Sequence, residues 1–464
     1  MCNRLTSPPA DMGGAILRES KYTPISANRS TTMGHHNSKQ CQIQGTVAPG
    51  FESVRTLYEH NMNTWAEENT QLCVYHQGEK VVDLWASTTN DSNFSADSLI
   101  NVFSSGKSLE SIAMASLVGK GLLSYSAKIT DYWPEFGANG KGELTVADLM
   151  RHEAGLASFS ASMELEDLLT ANIKKNTVGR IIENHIQKFP KGDNRKREYH
   201  AVTRGWIVNE VFRRADPAGR TIGEFLQEDI RRPLDADAVI GVKEEEISRL
   251  SKVSPLGLGF HFLESLKPKF LGRRVFHNIF QILTRLIRMI PAIRRGTSLD
   301  APAPFKGMRS IGFFNERGVA TGETPSANAC CSARGLAKIA AMMSAGGKFA
   351  GQEYLSEQGW KEMHADPVKA NMGGILITRF TQGGVDQFTE STPDSTSLER
   401  AFNHGREGFY GWMGLGGSIF QWHPQLDIGF AFVPTSLHVL DLLNERGMTY
   451  QAEVLNCINK LENP

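Results

Sequence analysis

Up to residue 45 the chain shows no regular recurrence of apolar positions. From Gly50 onward Phe51, Val54 and Leu57 return at helical spacing. The first 45 residues are rich in Ser, Thr, Asn and Gly and read as a disordered tail, with one folded domain from 46 to 464. Two β-rich runs, 72–75 and 81–85, flank Gln77-Gly78-Glu79 and predict an antiparallel hairpin. A third short run at 99–103 leads into Ser104. Residues 109–118 carry so little charge that a helix there must be buried almost all round, which puts Ser104 at the entrance to a core helix. Residues 125–304 offer mainly helical spacings, at 148–151, 165–169, 178–189 and 203–214. Beyond Pro302 and Pro304 come a helix at 336–344 and strands at 374–380, 417–422 and 428–433. The last two strands flank the turn His423-Pro-Gln-Leu-Asp427, and an amphipathic helix at 437–461 follows. Strands at both ends with helices between them predict an α/β (α+β) fold: one mixed sheet from 46–124 and 305–464, and a helical subdomain at 125–304. There is no internal repeat.

Composition narrows the function. Among 464 residues, 40% are apolar and 22% charged, which is the globular range. Lys plus Arg (50) balances Asp plus Glu (50), so no overall field draws the chain to nucleic acid. The cysteines at 2, 41, 73, 330, 331 and 457 show no C-x-x-C spacing and read as reduced thiols, with Cys330 and Cys331 packing ahead of a helix. Neither a metal-ligand motif nor a phosphate loop is present, and no cofactor is expected; the glycines at 411, 414, 416 and 417 read as crowding beside a strand. No secretory or membrane-spanning stretch is seen, so the expected compartment is cytoplasmic. Arg4, Arg18 and Arg29 leave a mitochondrial transit peptide as the alternative, against which stand Asp11 and Glu19.

The sharpest local pattern is Phe103-Ser-Ser-Gly-Lys107. Ser104 and Lys107 lie at i and i+3, so a helical turn brings them to one face. A hydroxyl is a weak nucleophile at neutral pH, and a lysine amine kept neutral by desolvation can take its proton. The tetrad is short enough to arise by chance, and a helix-capping serine followed by a surface lysine is the plain alternative.

Its company along the chain resembles the serine β-lactamase and penicillin-binding-protein superfamily, specifically its class-C-like esterase branch. The resemblance runs from about Gly50 to Pro434. It is carried by Gly50-Phe-Glu-Ser-Val, Val82-Asp-Leu-Trp85, Phe103-Ser-Ser-Gly-Lys-Ser108, Asp131-Tyr-Trp-Pro-Glu-Phe136, Leu149-Met-Arg-His-Glu-Ala-Gly-Leu156, Tyr199-His-Ala201, Pro325-Ser-Ala-Asn328 and Gly411-Trp-Met-Gly-Leu-Gly-Gly-Ser418. It implies a β-lactamase/transpeptidase-like fold, an antiparallel sheet flanked by helices plus a helical subdomain, with the site in the cleft between them. It also implies that Ser104 is the acylated nucleophile, Lys107 its proton partner and Tyr199 a second proton carrier. Trp412-Met-Gly414 aligns with the family's third motif, so that the N–H groups of Leu415 and Ser104 would form the oxyanion hole.

Two departures matter. Ala201 stands where β-lactamases proper carry Asn, and Trp412 replaces a cation that would pair with a substrate carboxylate. A tryptophan offers an apolar face suited to a neutral ester, and Trp-x-Gly is also seen in esterase-like branches. The expected activity is therefore ester or amide hydrolysis of a small molecule through an acyl-enzyme, with weak antibiotic hydrolysis at best. Acyl transfer from the same intermediate and a noncatalytic binding protein that keeps the fold are the rivals.

Two histidines and one segment complete the reading. His152 suits a core or capping role. His200 is a candidate substrate contact, with a hydrogen-bonded supporting role as the alternative. Residues 267–295 hold Lys267, Lys269, Arg273, Arg274, Arg285, Arg288, Arg294 and Arg295 without one acid, interleaved with apolar residues at helical spacing. The pattern predicts a basic amphipathic helix: either its apolar stripe packs over the domain with the arginines in water, or it makes peripheral contact with an anionic membrane.

Overall fold

The computed structural model describes residues 41–190, 197–295, 301–373 and 376–463. The central element is a nine-stranded sheet built from both ends of the chain. Its strands are β1 (Ile43–Val47), β2 (Asn69–His76), β3 (Glu79–Ser87), β4 (Val368–Met372), β5 (Leu376–Phe380), β6 (Asp386–Gln387), β7 (Tyr410–Met413), β8 (Ile419–His423) and β9 (Ile428–Pro434). Their spatial order is β1-β3-β2-β9-β8-β7-β6-β5-β4, and every pairing is antiparallel rather than mixed.

Both hairpins expected from the sequence form. The β2–β3 turn places Gln77 and Gly78 in the left-handed region, at φ 53° and 78°, as a two-residue turn matched to strand twist requires. Order begins earlier than expected, because residues 43–45 pair with β3 as part of an edge strand whose polar Gln44 and Thr46 hide it from a hydrophobic pattern. Residues 1–40 of the expected tail lie outside the described residues.

Each face of the sheet carries helices, and the period-2 alternation of the strands sorts the two cores. Leu72, Val74, Phe430 and Phe432 point to the layer of α1 (Glu52–Thr64) and the C-terminal helix Glu445–Glu462. Cys73, Ala431 and Val433 point to the opposite layer, with α2 (Lys107–Gly119). In chain order the other helices used below are α3 (Thr203–Ala215), α4 (Leu258–Leu266), α5 (Ile279–Arg295) and α6 (Ala333–Ser344), which makes the C-terminal helix α7. Gly429 lets α6 lie directly on β9, since a Cβ there would meet the Ala341 nitrogen at 2.3 Å. The cysteines fit this packing: Cys41, Cys73, Cys330, Cys331 and Cys457 are buried and unpaired.

As the sequence implies, α2 is buried from Lys107 through Leu117. The stretch 125–304 is less regular than expected, with short helices and single 3-10 turns. Within 267–295 the helix occupies only Ile279–Arg295; before it, Pro268 and Gly272 (φ 73°) break the chain into turns. The C-terminal helix starts at Glu445 rather than 437, because 436–437 form a short strand beside Ser254–Pro255.

Candidate active site

Ser104 sits in a 3-10 turn, Phe103–Gly106, that runs straight into α2. Phe103 adopts φ 47°, a left-handed backbone that an L side chain enters at a cost of about 1–2 kcal/mol. Its N–H is held by Asn101 Oδ1 at 2.8 Å. This sharp corner buries Phe103, Ser105 and Gly106 and leaves Ser104 partly open.

One turn along, the Lys107 amine has three neighbours. The carbonyl oxygens of Ala201 and Ser326 lie at 2.7 and 3.0 Å, and Ser104 Oγ at 3.2 Å. Burial holds the Lys107 amine well below the ordinary lysine range, against the opposing pull of Glu110 and with help from Arg204. A neutral amine has two hydrogens and one lone pair. The two carbonyls can only accept, so a neutral Lys107 amine would give them both hydrogens and keep its lone pair for the Ser104 hydroxyl.

The far side is fixed just as firmly. The Tyr199 phenol lies beside Ser104, whose hydroxyl acts to lower its pKa, and the Lys107 amine lies 4.9 Å from the Tyr199 ring centre. Trp412 Nε1–H donates to Tyr199 Oη at 3.0 Å. An indole nitrogen can only donate, so the phenol's own proton is not spent on Trp412. Burial raises the phenol above its usual range, against the lowering effect of its bonds to Ser104 and Trp412, so it is an acid at neutral pH. Trp412, Tyr199, Ser104 and Lys107 thus stand in succession across the site.

That use of Trp412 corrects the sequence reading, which gave its apolar face to the substrate. The indole is 5% exposed and packs against Phe380 and Phe402, at centroid distances of 5.0 and 6.2 Å. Its polar edge, not its face, reaches the site.

Behind these groups lies a buried polar frame. Arg204, fully buried on α3, pairs with Glu110 of α2 at 3.0 Å and donates to the carbonyls of Lys107, Met150 and Gly384. Ser326 Oγ donates to the other Glu110 oxygen. Sequence reasoning passed over this pair, although Glu110 is the lone acid in a segment otherwise nearly free of charge.

His152 (φ 65°) accepts the N–H of His200 at 3.0 Å and packs its ring 4.9 Å from that of Tyr199. His200 has both ring nitrogens engaged by backbone, the Leu156 N–H at 3.1 Å and the Glu198 carbonyl at 2.6 Å. No ring nitrogen is left for a substrate, so His200 supports the Tyr199 segment. Burial lowers it to about 3, keeping it neutral.

Opposite the serine, β7 ends at Met413 and the chain turns. A Cβ on Gly414 would come within 2.2 Å of the Val102 carbonyl, so only glycine lets this turn press against the start of α2. Gly414 gives its own N–H to the Ser418 carbonyl at 2.8 Å, and Ser418 Oγ donates to the Val102 carbonyl at 2.7 Å. Leu415 stands next in this turn, 39% exposed. A pocket of about 270 Å³ opens beside Ala201, with Ala157, Phe159, Trp206, Pro302 and Pro304 in its walls. Among the described residues, His277, Asp441 and Glu445 have metal-ligand spacing, but Arg285 fills that cluster with its own cation.

A serine at the head of a buried helix, a desolvated lysine one turn on, and a tyrosine facing both from another element define a protein of the β-lactamase/transpeptidase-like fold. The family profile described as Beta-lactamase matches residues 54–450, and the chain belongs to that family. The esterase/β-lactamase LipL of Mycobacterium tuberculosis is 27% identical over 385 residues, covering 79% of this chain and 76% of LipL. Two solved structures share the fold at a TM-score of 0.68: a penicillin-binding-protein homologue from Caulobacter crescentus (22% identical) and a family VIII carboxylesterase (24% identical). Each alignment covers 90% of this chain and 100% of the other. The chain thus belongs to the Beta-lactamase family and is similar to proteins named as esterases and as a penicillin-binding-protein homologue.

Proposed function

We propose that the protein hydrolyses carboxylic esters through an acyl-enzyme on Ser104, with Lys107 as general base and Tyr199 as general acid. The observation that carries this reading is the Lys107 amine held between two carbonyl acceptors with the Ser104 hydroxyl as its third neighbour. As Ser104 Oγ attacks the ester carbonyl carbon, its proton passes to Lys107 Nζ. The carbonyl oxygen becomes an oxyanion, for which the N–H groups of Ser104 and Leu415 are the donors assigned here. On collapse the C–O bond to the alcohol breaks, and the leaving oxygen takes the Tyr199 proton, which Lys107 restores. Water then repeats the sequence on the acyl-serine and frees the acid.

Neutral substrates are favoured because Trp412 supplies no charge to pair with a carboxylate, and Ala201 offers no amide to orient a lactam side chain. The pocket beside Ala201, walled by alanines, prolines and aromatic rings, suits a compact apolar acyl or alcohol group.

The test is labelling with a fluorophosphonate followed by mass mapping, together with turnover of nitrophenyl esters. Labelling should fall on Ser104, and Ser104→Ala should lower kcat/KM by at least about 10³-fold. A label elsewhere, or turnover that survives Ser104→Ala, Lys107→Ala and Tyr199→Phe alike, would overturn the assignment.

A further inference from the structure

The segment that carries α4 and α5 turns its polar side inward. On α4, His261, Glu264 and Ser265 are buried while Leu263 and Leu266 stand exposed. Phe270 in the following turn is 85% exposed and Phe280 on α5 is 78% exposed, with Leu271 and Ile287 also open. Of the thirteen large apolar side chains exposed among the described residues, eight fall between 258 and 287. This departs in part from the plain sequence reading, in which the stripe packs on the domain: Phe276, Ile279 and Leu286 are half-buried, but Phe280, Leu283 and Ile287 face out.

The hairpin is nonetheless firmly attached. Glu264 accepts the Arg274 N–H at 3.0 Å, and the Arg274 carbonyl accepts the Ala66 N–H at 2.9 Å. Phe276 packs on Trp65, Ile282 is buried, and His277 and Arg285 meet Glu445 at 2.9 and 2.7 Å. The apolar residues therefore face outward because the inner face is already occupied by specific polar contacts. Eight large apolar side chains exposed within one segment mark a place that something covers.

Charge decides what covers it. Residues 267–295 contain eight cations and no acid, and exposed Lys269 and Arg274 flank Phe270 and Leu271. A second copy of the same face would bring like charges together. Residues 1–40 carry Arg4, Arg18, Lys21, Arg29 and Lys39 against Asp11 and Glu19, so they too share its sign. Apolar side chains flanked by the exposed cations Lys269 and Arg274 match the boundary between acyl chains and anionic headgroups.

We propose that the α4–α5 hairpin seats the protein on an anionic lipid surface, with Phe270, Leu271 and Phe280 entering the acyl boundary. No helix among the described residues is long and apolar enough to cross a bilayer, so this contact is peripheral.

The full chain is floated with phosphatidylcholine vesicles, with or without phosphatidylserine, beside the variant Phe270→Ser/Leu271→Ser/Phe280→Ser. Wild type should bind the phosphatidylserine vesicles roughly tenfold better than phosphatidylcholine alone and should be released by salt. The variant should lose about tenfold or more of that binding while hydrolysing a soluble ester at the wild-type rate. Absence of wild-type flotation, or equal flotation of the variant, would overturn the proposal. So would a dimer that the variant dissolves without any vesicle binding, because the face would then be a contact between copies.

Discussion

In the proposed mechanism Trp412 fixes the Tyr199 phenol through a single donated hydrogen bond. Replacing it with phenylalanine keeps the packing against Phe380 and Phe402 but removes the indole donor that holds the Tyr199 oxygen in place. Trp412→Phe is expected to lower kcat about 10- to 100-fold with little change in KM for a small ester, measured by steady-state kinetics. The pH profile follows from the buried amine. Because burial lowers Lys107, kcat/KM should fall as pH drops through that depressed lysine value and protonates the base. On the alkaline side the raised phenol should keep the rate level to beyond about pH 10. An acid limb that persists in a residually active Lys107→Gln would assign it to another group. Ser104 and Lys107 were readable because their relation is local, one helical turn, and Tyr199 through its motif. The carbonyls of Ala201 and Ser326 were not, since any residue type supplies a carbonyl and only the fold delivers it. The indole N–H was hidden for a related reason: tryptophan is read first as apolar surface.

Among the elements, the strands beside the site hold a second buried titrating group. Asp386 in β6 pairs across to Phe380 and Gly411 and accepts the Arg379 N–H, and burial pushes its carboxyl up to about 7. An acid raised on folding holds its proton more tightly in the native state. Its stabilising contribution is therefore complete below the unfolded value of about 4 and declines as pH climbs to about 7. The slope corresponds to a few kcal/mol between those limits, since each pKa unit is worth about 1.4 kcal/mol. Asp386→Asn keeps an acceptor for Arg379 and should flatten that decline, read as urea midpoints across the range. Hairpins and the core helix were legible because their patterns are long and their turns carry the right residues. The stretch 125–304 was less so, because its helices are short and depend on tertiary contacts such as the Arg204–Glu110 pair, which no local period records.

For the molecule as a whole, amphipathicity announced the 267–295 segment without saying which side faces out. That choice lies in contacts with distant residues, above all the meeting of His277 and Arg285 with Asp441 and Glu445. Arg285→Ala removes the cation that holds α5 to the start of α7. It should speed trypsin cleavage within 258–287 several-fold while the thermal midpoint of the main transition and soluble-ester turnover stay near wild type; unchanged cleavage would mean the hairpin is held by its other contacts. The sheet has a further consequence. Asn69 and Thr435 exchange hydrogen bonds although 366 positions separate them, and β2 finds its second neighbour only in β9. During translation the ribosome releases Ser104 more than three hundred residues before Trp412 has been made. On the proposed mechanism the nascent polypeptide would be chemically silent, and reactivity would arise late, when the closing strands arrive and the two ends of the message meet.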